Sequence, residues 1–268
     1  MNDPFGPLRA RLDATHGVTG VVVAGVDGRP LFEQRAGEEF PAASVVKLPL
    51  VMTLHADAAE GRLRLDAPLE VGERVPGSGV LRLLRDVGPL TLRDLAMLAM
   101  SVSDNTATNL LIDAVSTARV RARLAEWGCR RARLERKMYD LGAKARGLEN
   151  VMTPAETAGL LLRVLRGELV DRDTSDAVLA LLDANQDATL LGRYLPEGTR
   201  LAHKSGWVEG VRNDAGIVWG ERPGAVVVFA RETTPDVARV TLGLAGWCAF
   251  RAAGGNVPAL PPELASPA

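Results

Sequence analysis

Ser44 and Lys47 stand three residues apart in "PAASVVKLPLVM", residues 41–52, with apolar residues following at helical spacing. On a helix that spacing puts both side chains on one face. A serine where a helix begins lies among unpaired backbone N–H groups at the positive end of the helix dipole. A lysine one turn on, flanked by Val45, Val46 and Leu48, is a candidate for desolvation, which lowers the pKa of an ammonium. A neutral amine beside a hydroxyl takes its proton and leaves a nucleophile. The residue type is informative, because the chain has 4 Lys against 28 Arg, and arginine does not give up its proton in a protein. Alone, Ser-x-x-Lys is a weak signal, since a capped helix with a surface lysine reads the same way.

Two further clusters add to it. "SVSDNTATNLLID" carries Ser103-Asp104-Asn105, 59 residues after Ser44. Its plain reading is a loop feeding a helix capped by Asp or Asn; its chemical reading has a hydroxyl and an amide turned into a cleft. "LAHKSGWVEGVRND" carries Lys204-Ser205-Gly206 on an expected strand. A lysine inside an apolar strand is odd for a structural role, and glycine lets another backbone approach the strand.

The elements that must position these residues follow from the pattern. "DPFGPLRARLDAT" reads as a short leading helix, and "VTGVVVAGVDG" with "RPLFEQRAGEEF" as a hairpin about Gly28. Residues 45–190 are strongly helical, broken by Gly, Pro and Asp. The helix at the serine is expected to start at or just after Ser44, so that Pro49 falls near its first turn. After Pro196 strands return, then a closing apolar helix, "DVARVTLGLAGWCAF", and a loose Pro-rich tail. Strands at both ends with helices between predict one sheet built from the two chain ends (1–45 and 196–268) and an inserted helical subdomain (46–195). The cleft between them is the natural ligand site.

Bulk numbers set limits. The 268 residues, 47% apolar and 24% charged, suit a globular chain with a large core. A net charge of −1 gives no global pull toward nucleic acid or anionic membrane. Cys129 and Cys248 are read as reduced, buried thiols. His16, His55 and His203 show no metal-ligand spacing, so no metal or other cofactor is expected. The start lacks a signal-peptide plan and there is no apolar run of 18 residues, which leads to the expectation of a soluble, cytoplasmic monomer. Residues 119–137 hold eight basic residues and two acidic ones with Trp127 as their one aromatic, and this is read as a solvated helix face rather than a nucleic-acid surface.

Ser-x-x-Lys, Ser-Asp-Asn and Lys-Ser-Gly, in this order on a helix start, a helical loop and a late strand, resemble the penicillin-recognising serine enzymes, within them the class A β-lactamases and D,D-peptidase-like relatives. The resemblance covers almost the whole chain and implies an α/β (α+β) fold with an antiparallel sheet and an inserted all-helical subdomain. It implies Ser44 as the acyl-forming nucleophile, Lys47 as its proton partner and Ser103 as the group passing a proton to the leaving nitrogen. Asn105 would hold a substrate amide and fix Lys47. Lys204 and Ser205 would bind a substrate carboxylate and polarise Ser103. The oxyanion hole would use the N–H groups of Ser44 and of Trp207, which follows Gly206. "GSGVLRLL" (77–84) should run near the cleft rim, and Arg212 is a weaker candidate for carboxylate binding.

One departure stands out. In "RLERKMYDLGAKARGLENVMTP" the opening Arg133-Leu134-Glu135-Arg136 resembles that of the family's Ω loop, but Met138 falls where the water-activating glutamate belongs. Gly142 falls where an asparagine helps hold that water, and counting back from Thr153-Pro154 points instead to Lys137. Asp140 and Glu149 are the nearest acids. Three readings result: a serine acyl-enzyme acting on β-lactam, peptide-like or ester substrates and slow to deacylate β-lactams; a true class A-type β-lactamase with another base such as Glu149; or a non-catalytic penicillin-binding sensor.

Overall fold

The computed structural model describes residues 3–257, 260 and 264; most of the expected Pro-rich tail lies outside the described residues. A leading helix α1 (Gly6–Ala14) precedes the hairpin β1 (Val18–Gly25) and β2 (Pro30–Gln34), whose turn contains Gly28 at φ 84°, a conformation natural to glycine. After β3 (Phe40–Pro41) a 3-10 turn over Ala43–Val46 leads into α2 (Lys47–Ala59). The short β4 (Pro68–Leu69) and β5 (Leu90–Thr91) pair ahead of α3 (Leu92–Ser101), α4 (Asn105–Val115) and α5 (Thr117–Glu126). Then come α6 (Leu141–Ala145), β6 (Val151–Met152, paired with β3), α7 (Pro154–Arg166) and α8 (Arg172–Asp183). The chain closes with β7 (Leu201–Val208), β8 (Val211–Trp219), β9 (Pro223–Arg231) and α9 (Pro235–Ala252).

The five long strands form one antiparallel sheet in the order β2-β1-β9-β8-β7. Both faces are covered, which is why β1 and β9 read as unbroken apolar runs rather than alternating ones. Val21 and Val23 of β1, with Val226 and Val228 of β9, face α1 and α9 and pack with Leu8, Leu242 and Trp247. Val22, Ala225, Val227 and Phe229 face the other way, onto Phe40, Val45, Val46 and the helical part. The period of two sends neighbours to opposite layers. Caps set the helix starts: Asp104 accepts the Ala107 N–H, Thr153 the Glu156 N–H with Pro154 following, and Thr234 the Val237 N–H ahead of Pro235.

The helix at the serine differs from expectation. Residues 43–46 form a 3-10 turn, and the α-helix begins only at Lys47, with Pro49 in its first turn. Ser44 caps neither segment. Two residues of the basic stretch 119–137 turn inward: Arg119 and Arg123 both donate to Asp57 of α2, at 2.7 and 2.6 Å, which ties α2 to α5. No described helix is long and apolar enough to cross a membrane.

Candidate active site

The last strand of the sheet passes over the serine turn. A Cβ on Gly206 of β7 would lie 2.6 Å from the Ser44 nitrogen and 2.9 Å from that of Val45. Only glycine lets these backbones meet, so Gly206 sets how closely β7 approaches Ser44. Ser44 stays half-exposed in a cleft of about 490 Å³, whose walls also include Ser78, Ser103, Asn105, Met138, Asp187 and Trp207. The cleft lies where the sheet meets the helical part.

Lys47 is fully buried behind Ser44. Its Nζ contacts the Ser103 carbonyl at 2.7 Å, the Asn105 Oδ1 at 2.9 Å and the Ser103 hydroxyl at 3.0 Å. No hydrogen bond joins it to the Ser44 hydroxyl. Burial, and then the nearby Lys204 charge, push Lys47 well below the ordinary lysine range, against the pull of Asp104. Nζ donates to all three oxygens, and these contacts leave the Ser103 hydroxyl within proton-transfer reach of Lys47.

Ser103 holds this place at φ 56°. Ala43 and Tyr139, also on the cleft wall, have φ 46° and 61°. Non-glycine residues in the left-handed region carry strain that the surrounding structure must hold in place. Here the Ser78 hydroxyl donates to the Ser103 carbonyl at 2.8 Å, and Asp104 caps α4 while its Oδ2 accepts the Leu81 N–H at 2.8 Å. The 77–84 segment thus buttresses the Ser-Asp-Asn turn. Gly77 and Ser78 reach the cleft wall. Asn105 donates to the Pro76 carbonyl at 3.1 Å, which fixes which end of its amide meets Lys47.

Lys204 is fully buried and donates to the Ser205 carbonyl at 2.7 Å, not to Ser103. Burial pushes it down to about 8 although Asp214 and Asp187 oppose the shift. The Ser205 hydroxyl donates to Asp187 at 2.9 Å. Arg212 bonds the Val208 and Val211 carbonyls and lies 5.2 Å from the Trp207 ring. Trp207 is 62% exposed at the cleft mouth.

On the loop before β6, Met138 faces the cleft, and the Asn109 side chain of α4 brackets its backbone by two hydrogen bonds. Gly142 lies in α6 and is not part of the cleft wall. Glu149 does line the cleft, but its Oε1 accepts Arg136 at 2.6 Å and the Asn150 N–H at 2.9 Å. The Asn150 side chain pins the same loop through the Glu135 and Arg136 N–H groups and the Arg136 carbonyl.

Asn109 and Asp187 were missed by the sequence reading. Asn109 left a trace, since "NTATN" repeats Asn one helical turn after Asn105. Asp187 sits in "ANQDATLL", which carries no signal beyond that of a polar turn.

Comparison with known proteins finds relatives across most of the chain. Residues 7–245 match the model of a family described as the beta-lactamase enzyme family. A β-lactamase from Sphaerobacter thermophilus superposes at a TM-score of 0.85 with 34% identity, covering 94% of this chain and 98% of that one. The β-lactamase CARB-3 of Pseudomonas aeruginosa is 28% identical over 216 residues, 78% of this chain and 74% of its own. A mutant of PBP-A, solved as an acyl-enzyme complex with penicillin G, shares the fold at a TM-score of 0.82 and 24% identity over 94% of this chain and 96% of that one.

Proposed function

The chain belongs to the beta-lactamase enzyme family and is a serine hydrolase of that type; on that premise we propose that it forms an acyl-enzyme on Ser44 and clears β-lactam-derived acyl groups slowly. Lys47, whose ammonium form is disfavoured by burial, takes the Ser44 proton as Oγ attacks the substrate carbonyl. The N–H groups of Ser44 and Trp207 would meet the developing oxyanion, and Gly206, next to Trp207, lets β7 come close to the Ser44 nitrogen. The proton then travels from Lys47 through Ser103, 3.0 Å away, to the leaving nitrogen or oxygen as its bond to the carbonyl carbon breaks. Asn105 holds Lys47 and offers its amide to the substrate.

Hydrolysis of the adduct needs a water and a base. The observation that carries slow deacylation is Met138, on the cleft wall with its backbone held by Asn109. A thioether has no useful basicity. Among the other carboxylates on the cleft wall, Glu149 is engaged by Arg136 and Asp187 by Ser205, while Glu209 belongs to the β7–β8 turn and not to the loop that carries Met138. Loss of general-base help is worth roughly 10²–10⁴-fold in rate. Esters and thioesters with small acyl groups leave room for solvent water and turn over more readily.

Intact-protein mass spectrometry after exposure to a penicillin tests this. The expected result is one added penicillin mass, absent in Ser44→Ala, persisting for minutes or longer. Clearance at many turnovers per second would show an efficient β-lactamase with a different base, and no adduct at all would favour a non-acylating module.

A further inference from the structure

Asp187 has no task in the reaction above, yet it occupies the end of the cleft where a substrate carboxylate is expected. It lies between α8 and β7, half-buried in the wall. Its Oδ2 accepts the Ser205 hydroxyl at 2.9 Å, and its Oδ1 accepts the Thr189 hydroxyl at 2.6 Å and the Thr189 N–H at 3.2 Å. Burial works to raise its pKa, but the Thr189 and Ser205 bonds, with His203 nearby, outweigh burial and hold the carboxyl below its ordinary range. The group is therefore an anion at neutral pH.

This changes what the Lys-Ser-Gly strand can offer. The one proton of the Ser205 hydroxyl is already given to a protein carboxylate. The Lys204 ammonium is turned to the Ser205 carbonyl. Arg212 is committed to two backbone carbonyls. Arg136, the one basic residue on the cleft wall among the described residues, is paired with Glu149. Glu209, in the β7–β8 turn, adds a further acid to the cleft wall. An incoming carboxylate would have to displace Asp187 from Ser205 and then sit beside it, like charge against like.

We propose that Asp187 makes this end of the cleft select against carboxylates and for acyl donors whose leaving portion is neutral or carries an ammonium group. The inference rests on the Ser44 acyl-enzyme reading and narrows its substrate class: penicillin, itself a carboxylate, is then a slow acyl donor whose adduct still accumulates because its removal is slower. Asp187 acts here as a specificity residue through charge, and its partner Ser205 stays available to a group that does not compete for the carboxylate's place.

The test uses three phenylacetyl thioesters with one acyl group and different leaving thiols: thioglycolate, its methyl ester, and thiocholine. Thiol release is followed colorimetrically, and acylation of Ser44 by intact mass. The parent protein should acylate from the thiocholine and methyl ester compounds at least about tenfold faster than from thioglycolate. The ratio of thiocholine to thioglycolate rates should fall at least about tenfold in Asp187→Asn. Because part of the selectivity is electrostatic, the parent's ratio should also shrink as salt is raised. Acylation by all three without charge preference, or a ratio that neither Asp187→Asn nor salt changes, would overturn the inference while leaving the acyl-enzyme reading standing. No acyl mass on Ser44 from any of the three, together with thiol release no faster than in Ser44→Ala, would overturn both.

Discussion

Asn105 and Asn109 stand one turn apart on α4 and hold the two halves of the chemistry. Asn105 Oδ1 takes Lys47 Nζ at 2.9 Å, while Asn109 accepts the Met138 N–H at 2.7 Å and donates to its carbonyl at 3.0 Å. One helical face therefore positions both the group proposed to help make the acyl-enzyme and the residue standing where its removal is expected to be assisted.

That bracket makes Met138→Glu an informative change. The Asn109 bonds are to backbone and do not depend on the side chain at 138. A carboxylate placed there should speed decay of a penicillin adduct by about tenfold to a hundredfold, within the range of general-base effects. Adding Asn109→Ala should remove most of the gain. Decay of a fluorescent penicillin label measures both, and an unchanged lifetime in Met138→Glu would mean that this position does not govern deacylation.

Lys47→Arg keeps a cation and loses the base. Adduct formation should slow by roughly 10²–10⁴-fold, and Lys47→Ala should slow it similarly. Thermal melts run alongside establish that the variants fold. Labelling of the arginine variant at the parent rate would reduce Lys47 to a structural role.

Gly206→Ala tests the contact between β7 and the serine turn. The added methyl would meet the Ser44 nitrogen at 2.6 Å, so β7 must shift away and separate the two proposed oxyanion donors. Loss of one such donor costs about 10²–10³ in rate. The acylation rate should fall at least that far, whereas Gly210→Ala, whose added Cβ would meet nothing within 4 Å, should acylate at nearly the parent rate despite some strain from its φ of 69°.

His55 on α2 predicts an acid-sensitive step in stability. It is 6% exposed, its Nε2 has no partner, and burial, then Arg93, hold it down to about 4 from an ordinary 6.5. The unfolded chain thus binds a proton over that window while the folded chain does not. Stability falls as pH drops from about 6.5 toward 4, by about 3 kcal/mol in full. His55→Leu, which cannot titrate, should flatten that part of the stability-against-pH curve in urea melts, and an unaltered slope would place the acid sensitivity elsewhere.

The sequence by itself determined the chemical inventory and the plan of the fold. Lys47 and Lys204 were legible because lysines in apolar settings are unusual in so arginine-rich a chain, Ser44, Ser103, Asn105 and Gly206 from the resemblance the three motifs carry together, and the sheet from apolar runs at both ends of the chain. These are local properties, carried by residue type and period. The tertiary structure decided the pairings. It turned Lys47 toward Ser103 rather than Ser44, gave Ser205 to Asp187 and pinned Met138 on Asn109. It also set a 3-10 turn at Ser44 and a left-handed backbone at Ser103, Ala43 and Tyr139, none of them residues whose type favours that conformation. A hydrogen bond between side chains tens of residues apart follows from where packed elements bring them, and a strained backbone follows from neighbours that hold it. Neither is written in the stretch of chain where it occurs.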